Sequence, residues 1–264
     1  MSSCVPFYNN EATVGVAVRS LVGQTKAVLE VLAIDDGSTD GSARVAEEAG
    51  ARVVSLGSNR GRGAARARAV EEAQGDYLLS VDGAASLAPD FLERCLPWFE
   101  DKSTAAVYGK VVQLPPKSVA DRWRGRHLYQ LEEKHEAGPA GSLITGGVVL
   151  RRSAVLAVGN FDAGLRHSED FELGRRLLAA GWKIVYEPSA EVTTLVSNSL
   201  MQILERYWRW YAGVTPAFRL KHYARMVWYS LKVLAVRDLR HGDFQCAAVS
   251  LFMPHYCAYR SLRK

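Results

Sequence analysis

The sequence lacks any run of about 18 consecutive apolar residues, the length that marks a membrane-spanning helix. We expect no secretory leader, and the four cysteines show no spacing typical of a metal site. Internal repeats and low-complexity tracts are absent, which excludes repeat architectures. With 264 residues and 48% hydrophobic content, the chain can bury a substantial core. We therefore expect a cytoplasmic protein with reduced thiols, folded as one large or two small domains.

The net charge of +5 is unevenly distributed along the chain. Residues 201–264 contain eleven Lys and Arg against three Asp and Glu, so residues 1–200 carry about −3. The same C-terminal segment holds twelve of the 25 aromatic residues. The sequence therefore predicts a body at residues 1–200 and a basic, aromatic helical tail at residues 201–264, which faces a membrane or a partner.

Acidic and polar residues follow several predicted strands at the point where each strand ends. An apolar run at residues 31–34 stops at Asp35 and Asp36, and the strand at residues 77–81 ends on Asp82. Strand-helix-strand units cross over with one hand, which brings such ends to one edge of the sheet, where ligands bind. The pattern predicts an α/β fold with a mostly parallel sheet and a site at that edge. The alternative is that the two adjacent acids only cap a turn.

The periodicity of apolar residues and the positions of Gly and Pro predict the remaining elements. The predicted strands are residues 4–5, 31–34, 52–56, 77–81, 108–114, 148–151 and 182–186. The predicted helices are residues 14–24, 42–49, 64–74, 118–136, 202–211, one starting at 89, one from 169 to 180, and one following 220. Residues 138–141, Gly-Pro-Ala-Gly, are typical of a mobile loop.

Taken in order, the motifs resemble those of a family 2 glycosyltransferase with the GT-A fold, over roughly residues 4–195. They are Pro6-Phe7-Tyr8-Asn9-Asn10-Glu11, Asp35-Asp36-Gly37-Ser38-Thr39-Asp40, Asn59-Arg60-Gly61 with Ala65-Arg66, Asp82 followed by Leu87-Ala88-Pro89, Gly146-Gly147, Asn160-Phe161-Asp162, Glu169-Asp170 and Ala180-Gly181-Trp182. The resemblance implies an α/β, Rossmann-like GT-A sheet flanked by helices, with a C-terminal helical extension.

The resemblance also implies an inverting transfer of a sugar from a nucleoside-diphosphate donor, with UDP the expected nucleotide, to an acceptor hydroxyl. Asp170 matches the general base, and Glu169 matches a neighbour that orients the acceptor or tunes Asp170. The nucleotide-binding residues implied by the match are Pro6, Tyr8, Glu11, Asp36 and Arg66, and Gly146 and Gly147 match positions at the donor sugar and acceptor. The alternative for Ser168-Glu169-Asp170 is a helix start with favourable dipole charges.

The chain departs from the family pattern at the metal site. Where the family has Asp-x-Asp, this chain has Asp82-Gly83-Ala84, and a further ligand position falls near Thr194, where no histidine is present. Mg²⁺ or Mn²⁺ held by Asp82 with the donor phosphates is the expected cofactor, with weak affinity. The alternatives are that Arg60 or Arg62 replaces the metal, or that the chain is a non-catalytic relative that binds a nucleotide sugar or glycan.

Two other classes of ligand, dinucleotides and nucleic acids, fit the sequence less well. Gly61-Arg62-Gly63-Ala64-Ala65-Arg66 partly fits a dinucleotide fingerprint, but Arg66 stands where that motif needs a third glycine. Nucleic acid is excluded as a partner, because the acidic body offers no continuous basic groove and no recognition motif.

The predicted location of the protein in the cell depends on the tail at residues 201–264. Leu220, Tyr223, Val227, Leu231 and Leu234 fall on one stripe of a helix whose edge carries three cations, a pattern typical of a membrane-surface helix. The alternative is packing on the body or on a second subunit. The membrane interpretation predicts a protein peripheral to the inner face of the cell membrane, acting on a lipid-linked or envelope glycan. Gln202 and Arg209-Trp210 resemble a processive-synthase signature with the wrong spacing, so we expect non-processive addition.

Overall fold

The computed structural model describes residues 1–133, 136–214 and 218–263, with the side chains of 210–214 left aside. The chain divides into two compact units. Unit 1 comprises Met1–Leu114 and Lys134–Val196, and unit 2 comprises Pro115–Glu133 and Ser197–Lys264. The predicted division into a body at residues 1–200 and a tail at residues 201–264 stays a prediction. The compact units differ from it by grouping residues 115–133 with the C-terminal residues.

Unit 1 alternates strands and helices along most of its length. Its strands are β1 (Ser2–Phe7), β2 (Glu30–Asp35), β3 (Arg52–Ser55), β4 (Tyr77–Val81), β5 (Ala85–Leu87), β6 (Thr104–Gln113), β7 (Gly138–Pro139), β8 (Gly147–Arg151) and β9 (Lys183–Thr194). Its helices are α1 (Val14–Val22), α2 (Ser42–Glu48), α3 (Arg62–Glu72), α4 (Phe91–Cys95), a 3-10 turn (Leu96–Glu100), α6 (Arg152–Ala157) and α7 (Glu169–Ala179). The helix α5 (Val119–His127) belongs to unit 2.

The strands form one mixed sheet in the order β3-β2-β1-β4-β8-β6-β9-β5, with β7 paired to β9. The first four strands of this order run parallel, while β8 is antiparallel to both of its neighbours, β4 and β6. The carboxyl ends of β1, β2 and β4 therefore lie at one edge, as the positions of the strand-end acids predict.

Both faces of the central strands are buried, because helices cover the sheet on each side. Neighbouring residues of one strand join different cores: Val5 and Leu79 pack in one buried cluster, and Cys4 and Leu78 pack in the other. The first cluster includes Leu21 of α1. This two-sided packing fixes the register of the strands that end at the site.

Several predicted elements differ from the structure in length. The polar helix expected at residues 118–136 is only Val119–His127, while residues 134 and 135 lie outside the described part. The expected loop at 138–141 contains β7, which pairs antiparallel with β9. The strand expected at 182–186 continues to Thr194, because its second half pairs with β5 and with the end of β6.

Unit 2 is helical in its described residues. Its elements are α5 (Val119–His127), α8 (Leu200–Val214), α9 (Leu220–Tyr229), a π-helical turn (Ser230–Leu234), α10 (Ala235–Arg240) and α11 (Phe244–Leu262). Its core includes Trp123, Ile203, Leu204 and Met253. No described helix is both long and apolar enough to cross a membrane.

Candidate active site

The loop after β1 is fixed to the turn after β2. The backbone N–H of Asn9 donates to Ser38 Oγ (3.0 Å), and the N–H of Thr39 donates to Asn9 Oδ1 (2.9 Å). Asn9 has φ 50°, in the left-handed region that asparagine tolerates. This geometry leaves the Tyr8 ring 43% exposed at the edge of the sheet, and Glu11 is exposed beside it.

Asp35 and Asp36 are both buried, and each fixes a different segment of backbone. Asp35 Oδ1 accepts the N–H of Ser38 (2.8 Å), so this acid does cap the turn. Asp36 accepts the N–H groups of Arg60 (2.7 Å) and Gly61 (2.9 Å) with its two oxygens. A carboxylate has about four lone-pair sites, so Asp36 can still accept from a ligand. Its contact with a nucleotide stays a prediction.

Two glycines hold the start of α3 against residues 162–166. A Cβ on Gly61, which has φ 97°, would lie 2.7 Å from Arg166 Cα. A Cβ on Gly63 would lie 2.1 Å from the carbonyl oxygen of Asp162, and the N–H of Gly63 donates to Leu165 O (3.0 Å). Because both neighbours of Arg62 are fixed in this way, its backbone position at the edge is fixed as well.

Arg66 is buried between two carboxylates. Its Nη2 lies 2.6 Å from Asp82 Oδ1, and its Nη1 pairs with Glu169 Oε1. Burial lowers the pKa of Arg66, but Asp82, Glu169 and Asp170 outweigh burial, and the pKa is raised. Burial raises the pKa of Glu169 despite the opposing charge of Arg66. Contact of Arg66 with a nucleotide stays a prediction, since the structure places both of its terminal nitrogens on protein acids.

Asp170 is the half-buried acid next to this pair. Its Oδ2 lies 3.5 Å from Thr145 Oγ1, and its Oδ1 accepts the N–H of Phe171 (2.8 Å). Ser168, with φ 63°, has a left-handed conformation that is uncommon for serine, immediately before α7. Glu169 is buried after this turn, whereas Asp170 remains accessible. The acids favour the helix start by their charge, and they also place one carboxylate where a ligand can reach it.

The pair Gly146 and Gly147 brings β8 close to Asp82. A Cβ on Gly147 would lie 2.3 Å from Val192 Cγ2, so only glycine fits there. A Cβ on Gly146 would meet Val111 Cγ2 at an ordinary contact distance of 3.9 Å, and the Gly146 carbonyl accepts the N–H of Asp82 (3.3 Å). The predicted site residues do not include Thr145, although it directly precedes these glycines. The structure places its hydroxyl beside Asp170 and its carbonyl 3.5 Å from Arg66 Nη2.

The residues at the end of β4 fit a divalent cation poorly. Asp82 is the one carboxylate of the expected motif, and its Oδ1 is paired with Arg66. Ala84 and Thr194 occupy the other two expected ligand positions. Across the described residues, no group of three or more His, Cys, Asp or Glu side chains lies close enough together to hold a metal. The expected Mg²⁺ or Mn²⁺ stays a prediction that these side chains do not favour.

Two solved structures are similar to this chain at TM-scores near 0.6. One is GalNAc-T7 with UDP, GalNAc and Mn²⁺ (TM-score 0.60, 17% identity, covering 75% of this chain and 43% of that one). The other is the mannosyltransferase PcManGT of Pyrobaculum calidifontis in complex with GDP-Man and Mn²⁺ (TM-score 0.59, 15% identity, covering 99% and 72%). At these identities the likeness concerns the fold, and it confirms the predicted GT-A fold.

Among curated proteins, an N-acetylglucosaminyltransferase of Mesorhizobium japonicum is 29% identical over 230 residues, covering 78% of this chain and 54% of the relative. The succinoglycan biosynthesis protein ExoA of Rhizobium meliloti is 28% identical, covering 80% and 67%. A pre-mycofactocin glycosyltransferase of Mycobacterium tuberculosis is 26% identical, covering 83% and 47%. The chain thus spans about half the length of the first of these relatives.

The family model described as glycosyl transferase family 2 matches residues 2–159, more than half of the chain. This chain belongs to glycosyl transferase family 2.

Proposed function

We propose that this chain is an inverting, non-processive hexosyltransferase that moves a sugar from a UDP-sugar to an acceptor hydroxyl. The observation that carries the proposal is the accessible carboxylate of Asp170 beside the buried group of Arg66, Asp82 and Glu169. A carboxylate that is accessible at the edge of the sheet can take the proton of an attacking hydroxyl. Glu169 is too buried to reach an acceptor and instead holds Arg66 in place.

In this proposal, Pro6, Tyr8, Glu11 and Asp36 line the nucleotide site. Tyr8 presents an exposed ring at the end of β1, suited to stack on a base. Asp36 fixes the loop at residues 60–61 and retains free acceptor sites for a base N–H or a ribose hydroxyl. UDP in the GalNAc-T7 structure supports uridine, whereas GDP-Man in the mannosyltransferase structure makes guanosine the second candidate.

Calorimetric titration of the purified chain with UDP, GDP and dTDP tests the nucleotide site. We expect UDP to bind, and Tyr8→Ala to weaken binding by about tenfold, the loss typical of one base-aromatic stack. Tyr259→Ala is the matched control, because this tyrosine is similarly exposed (49%) but lies on α11. If no nucleotide bound, the proposal would fail, and tight GDP binding would reassign the donor.

The acceptor class is proposed from the relatives and from the tail. One relative is named for succinoglycan biosynthesis, which supports an envelope glycan or lipid-linked acceptor. Gly146, where an added Cβ would meet Val111 Cγ2 at 3.9 Å, directly follows Thr145, whose hydroxyl lies beside Asp170, and the donor sugar and the acceptor would meet there. The second candidate function, a non-catalytic relative that binds a nucleotide sugar or glycan, is favoured by the absence of a carboxylate at position 84.

A basic and aromatic face on unit 2 supports contact with an anionic membrane surface. None of the residues of α9 is buried, and Trp228 and Leu231 are 59% and 51% exposed. Lys221, Arg225 and Lys232 are exposed along the same stretch, and residues 219–237 contain no Asp or Glu. Cations meet anionic headgroups while aromatic and apolar side chains enter the interface. This face gives the proposed location at the inner surface of the cell membrane.

Sedimentation with lipid vesicles tests this face. We expect the chain to bind vesicles that contain an anionic phospholipid, to bind phosphatidylcholine vesicles weakly, and to dissociate in high salt. Arg225→Glu should reduce binding by about tenfold or more, since each cation near such a surface contributes about 1 kcal/mol. Arg19→Glu on α1 makes the same charge reversal at another exposed arginine and should bind normally. Equal binding to neutral vesicles would count against the membrane proposal.

A further inference from the structure

Two positions that the family pattern assigns to metal ligands are neighbours in this structure, and both lack a ligating carboxylate or imidazole. Ala85 pairs with Thr194 between β5 and β9, and the N–H of Leu195 donates to the carbonyl of Ala84 (2.9 Å). Ala84, directly before β5, and Thr194, at the end of β9, are therefore next to each other. Asp82 is the one acid left there.

Asp82 is also already engaged by a protein cation. Arg66 Nη2 lies 2.6 Å from its Oδ1, and the Arg66 side chain is only 3% exposed. The local group contains the acids Asp82, Glu169 and Asp170 against the single positive charge of Arg66, so it has no surplus of positive charge. A donor diphosphate entering this edge adds further negative charge, which grows on the leaving oxygen during transfer. Another cation must therefore face the diphosphate.

Arg62 is the cation best placed for that role. It begins α3 one turn before Arg66, so the two side chains lie on the same face of the helix. Arg62 is exposed, and no described residue forms an ion pair with it. Its charge favours the ionised form of Glu169, although burial and Arg66 have larger effects on the pKa of that carboxyl. Arg62 is therefore close enough to the site to act electrostatically on Glu169.

The two other arginines near this loop are less suited. Arg166 donates from Nη1 to the carbonyl of Asn59 (3.1 Å) and also pairs with Asn59 Oδ1. Its guanidinium thus holds the loop. Arg60 is exposed, with its backbone N–H fixed by Asp36, and its side chain has no contact with the acids among the described residues. Arg62 alone combines a free guanidinium, a backbone fixed between Gly61 and Gly63, and an electrostatic effect on the site.

We propose that the guanidinium of Arg62 binds the donor diphosphate in place of a divalent cation, so that this chain binds its donor and transfers the sugar without metal. The inference rests on the proposed function. The acceptor oxygen forms a bond to the anomeric carbon as the bond from that carbon to the phosphate oxygen breaks. The bonding electron pair leaves with the diphosphate, and the hydroxyl proton passes to Asp170. Arg62 donates hydrogen bonds to the diphosphate oxygens, where the negative charge develops.

Calorimetry with UDP and with uridine tests this proposal, using the full chain with EDTA and with added Mn²⁺. We expect wild-type UDP affinity to be the same in both solutions. Arg62→Ala should weaken UDP binding by about 10- to 100-fold and leave uridine binding unchanged, because only UDP carries the diphosphate. Arg62→Lys should recover part of the loss. Arg68→Ala is the matched control, since Arg68 lies on the same helix and pairs with Glu72 (2.6 Å).

Restoring the acid that the family pattern has at position 84 tests the same inference by making nucleotide binding depend on metal. Ala84→Asp restores the missing acid next to Asp82, and we expect it to make UDP binding tighten on addition of Mn²⁺. The proposal is overturned if Mn²⁺ tightens wild-type binding tenfold or more, or if Arg62→Ala loses no more affinity than Arg68→Ala. In either case UDP still binds, and the proposed function stands. If UDP fails to bind under every condition, both the proposed function and this inference are wrong.

Discussion

Replacing Asp170 by Asn is expected to lower kcat about 10²- to 10⁴-fold and to leave UDP affinity unchanged. Asparagine has nearly the same shape, and its carbonyl oxygen can still accept the N–H of Phe171, as Asp170 Oδ1 does at 2.8 Å. The amide cannot take up the proton of the acceptor hydroxyl. The helix start is therefore preserved while the base is lost, which separates chemistry from folding.

The measurement pairs release of UDP from a UDP-sugar in the presence of acceptor with calorimetric titration of UDP. Glu172→Gln is the matched control, because Glu172 is an acid of the same first helical turn but pairs with Arg176 (2.6 Å). If Asp170→Asn kept normal turnover, Asp170 would not be the base. A non-catalytic binding protein would show no turnover in the wild type, and neither variant would change its affinity for UDP.

The positions where the strands end at this site can be predicted from the sequence, because a short apolar run followed by an acid marks each of them. The apolar run before Asp35 and the one before Asp82 each predict a buried strand, and the structure ends β2 and β4 at those acids. The handedness of the crossover connections then brings the ends to one edge without any knowledge of side chains. Family membership likewise follows from the order and spacing of short motifs.

The partners of the charged side chains do not follow from such patterns. Arg66 and Glu169 are 103 positions apart and meet because α3 and the start of α7 both lie at the edge where β4 ends. The family resemblance assigns Arg66 to the nucleotide, and that contact stays a prediction. The structure surrounds Arg66 with Asp82 and Glu169, so it organises the acids of the site. Only the three-dimensional structure shows which acids lie close enough to Arg66 to pair with it.

The sequence likewise did not predict how the side chains of residues 115–133 pack. The sequence predicts a polar helix at residues 118–136, yet α5 is shorter, and it buries Trp123, Arg124 and Arg126 within unit 2. Long side chains such as arginine bury their stems and pair their charged ends when acids of other helices come within reach. The acid that forms the shortest ion pair with Arg126 is Asp238, more than a hundred residues further along the chain.

Asp238→Ala is expected to destabilise unit 2 by about 3–5 kcal/mol, the usual cost of breaking a buried ion pair. Asp238 is fully buried and accepts hydrogen bonds from Arg126 Nη1 (2.7 Å) and Ser250 Oγ (2.6 Å). Its Oδ1 also lies 2.8 Å from His127 Nε2. These contacts join α5, α10 and α11, and the same Ser250 hydroxyl accepts from Trp123 Nε1 (2.8 Å). Removal of the carboxylate takes away the shortest ion pair of the buried Arg126 and leaves it only the longer pairs with Asp243 (3.6 Å) and Glu132 (3.7 Å).

The pH dependence gives this prediction a second readout. Burial acts to raise the pKa of Asp238, but hydrogen bonds from His127, Ser250 and Arg126 outweigh it, and the pKa is lowered. A carboxyl whose folded pKa is lowered binds its proton more readily in the unfolded chain, so its stabilising effect is full above its ordinary pKa of 3.8. That effect is lost as the pH falls through the lowered value. The stability difference between wild type and Asp238→Ala should therefore shrink in acid.

Denaturant unfolding followed by tryptophan fluorescence measures both effects, because four of the six tryptophans belong to unit 2. Asp76→Ala is the control, since Asp76 is exposed and a surface change of this kind shifts stability by about 0.5 kcal/mol or less. A loss for Asp238→Ala no larger than that control would mean that the apolar core around Trp123 holds unit 2 together without the network. A loss that stayed constant down to acid pH would assign the effect to a packing defect, because a cavity does not titrate and a carboxylate does.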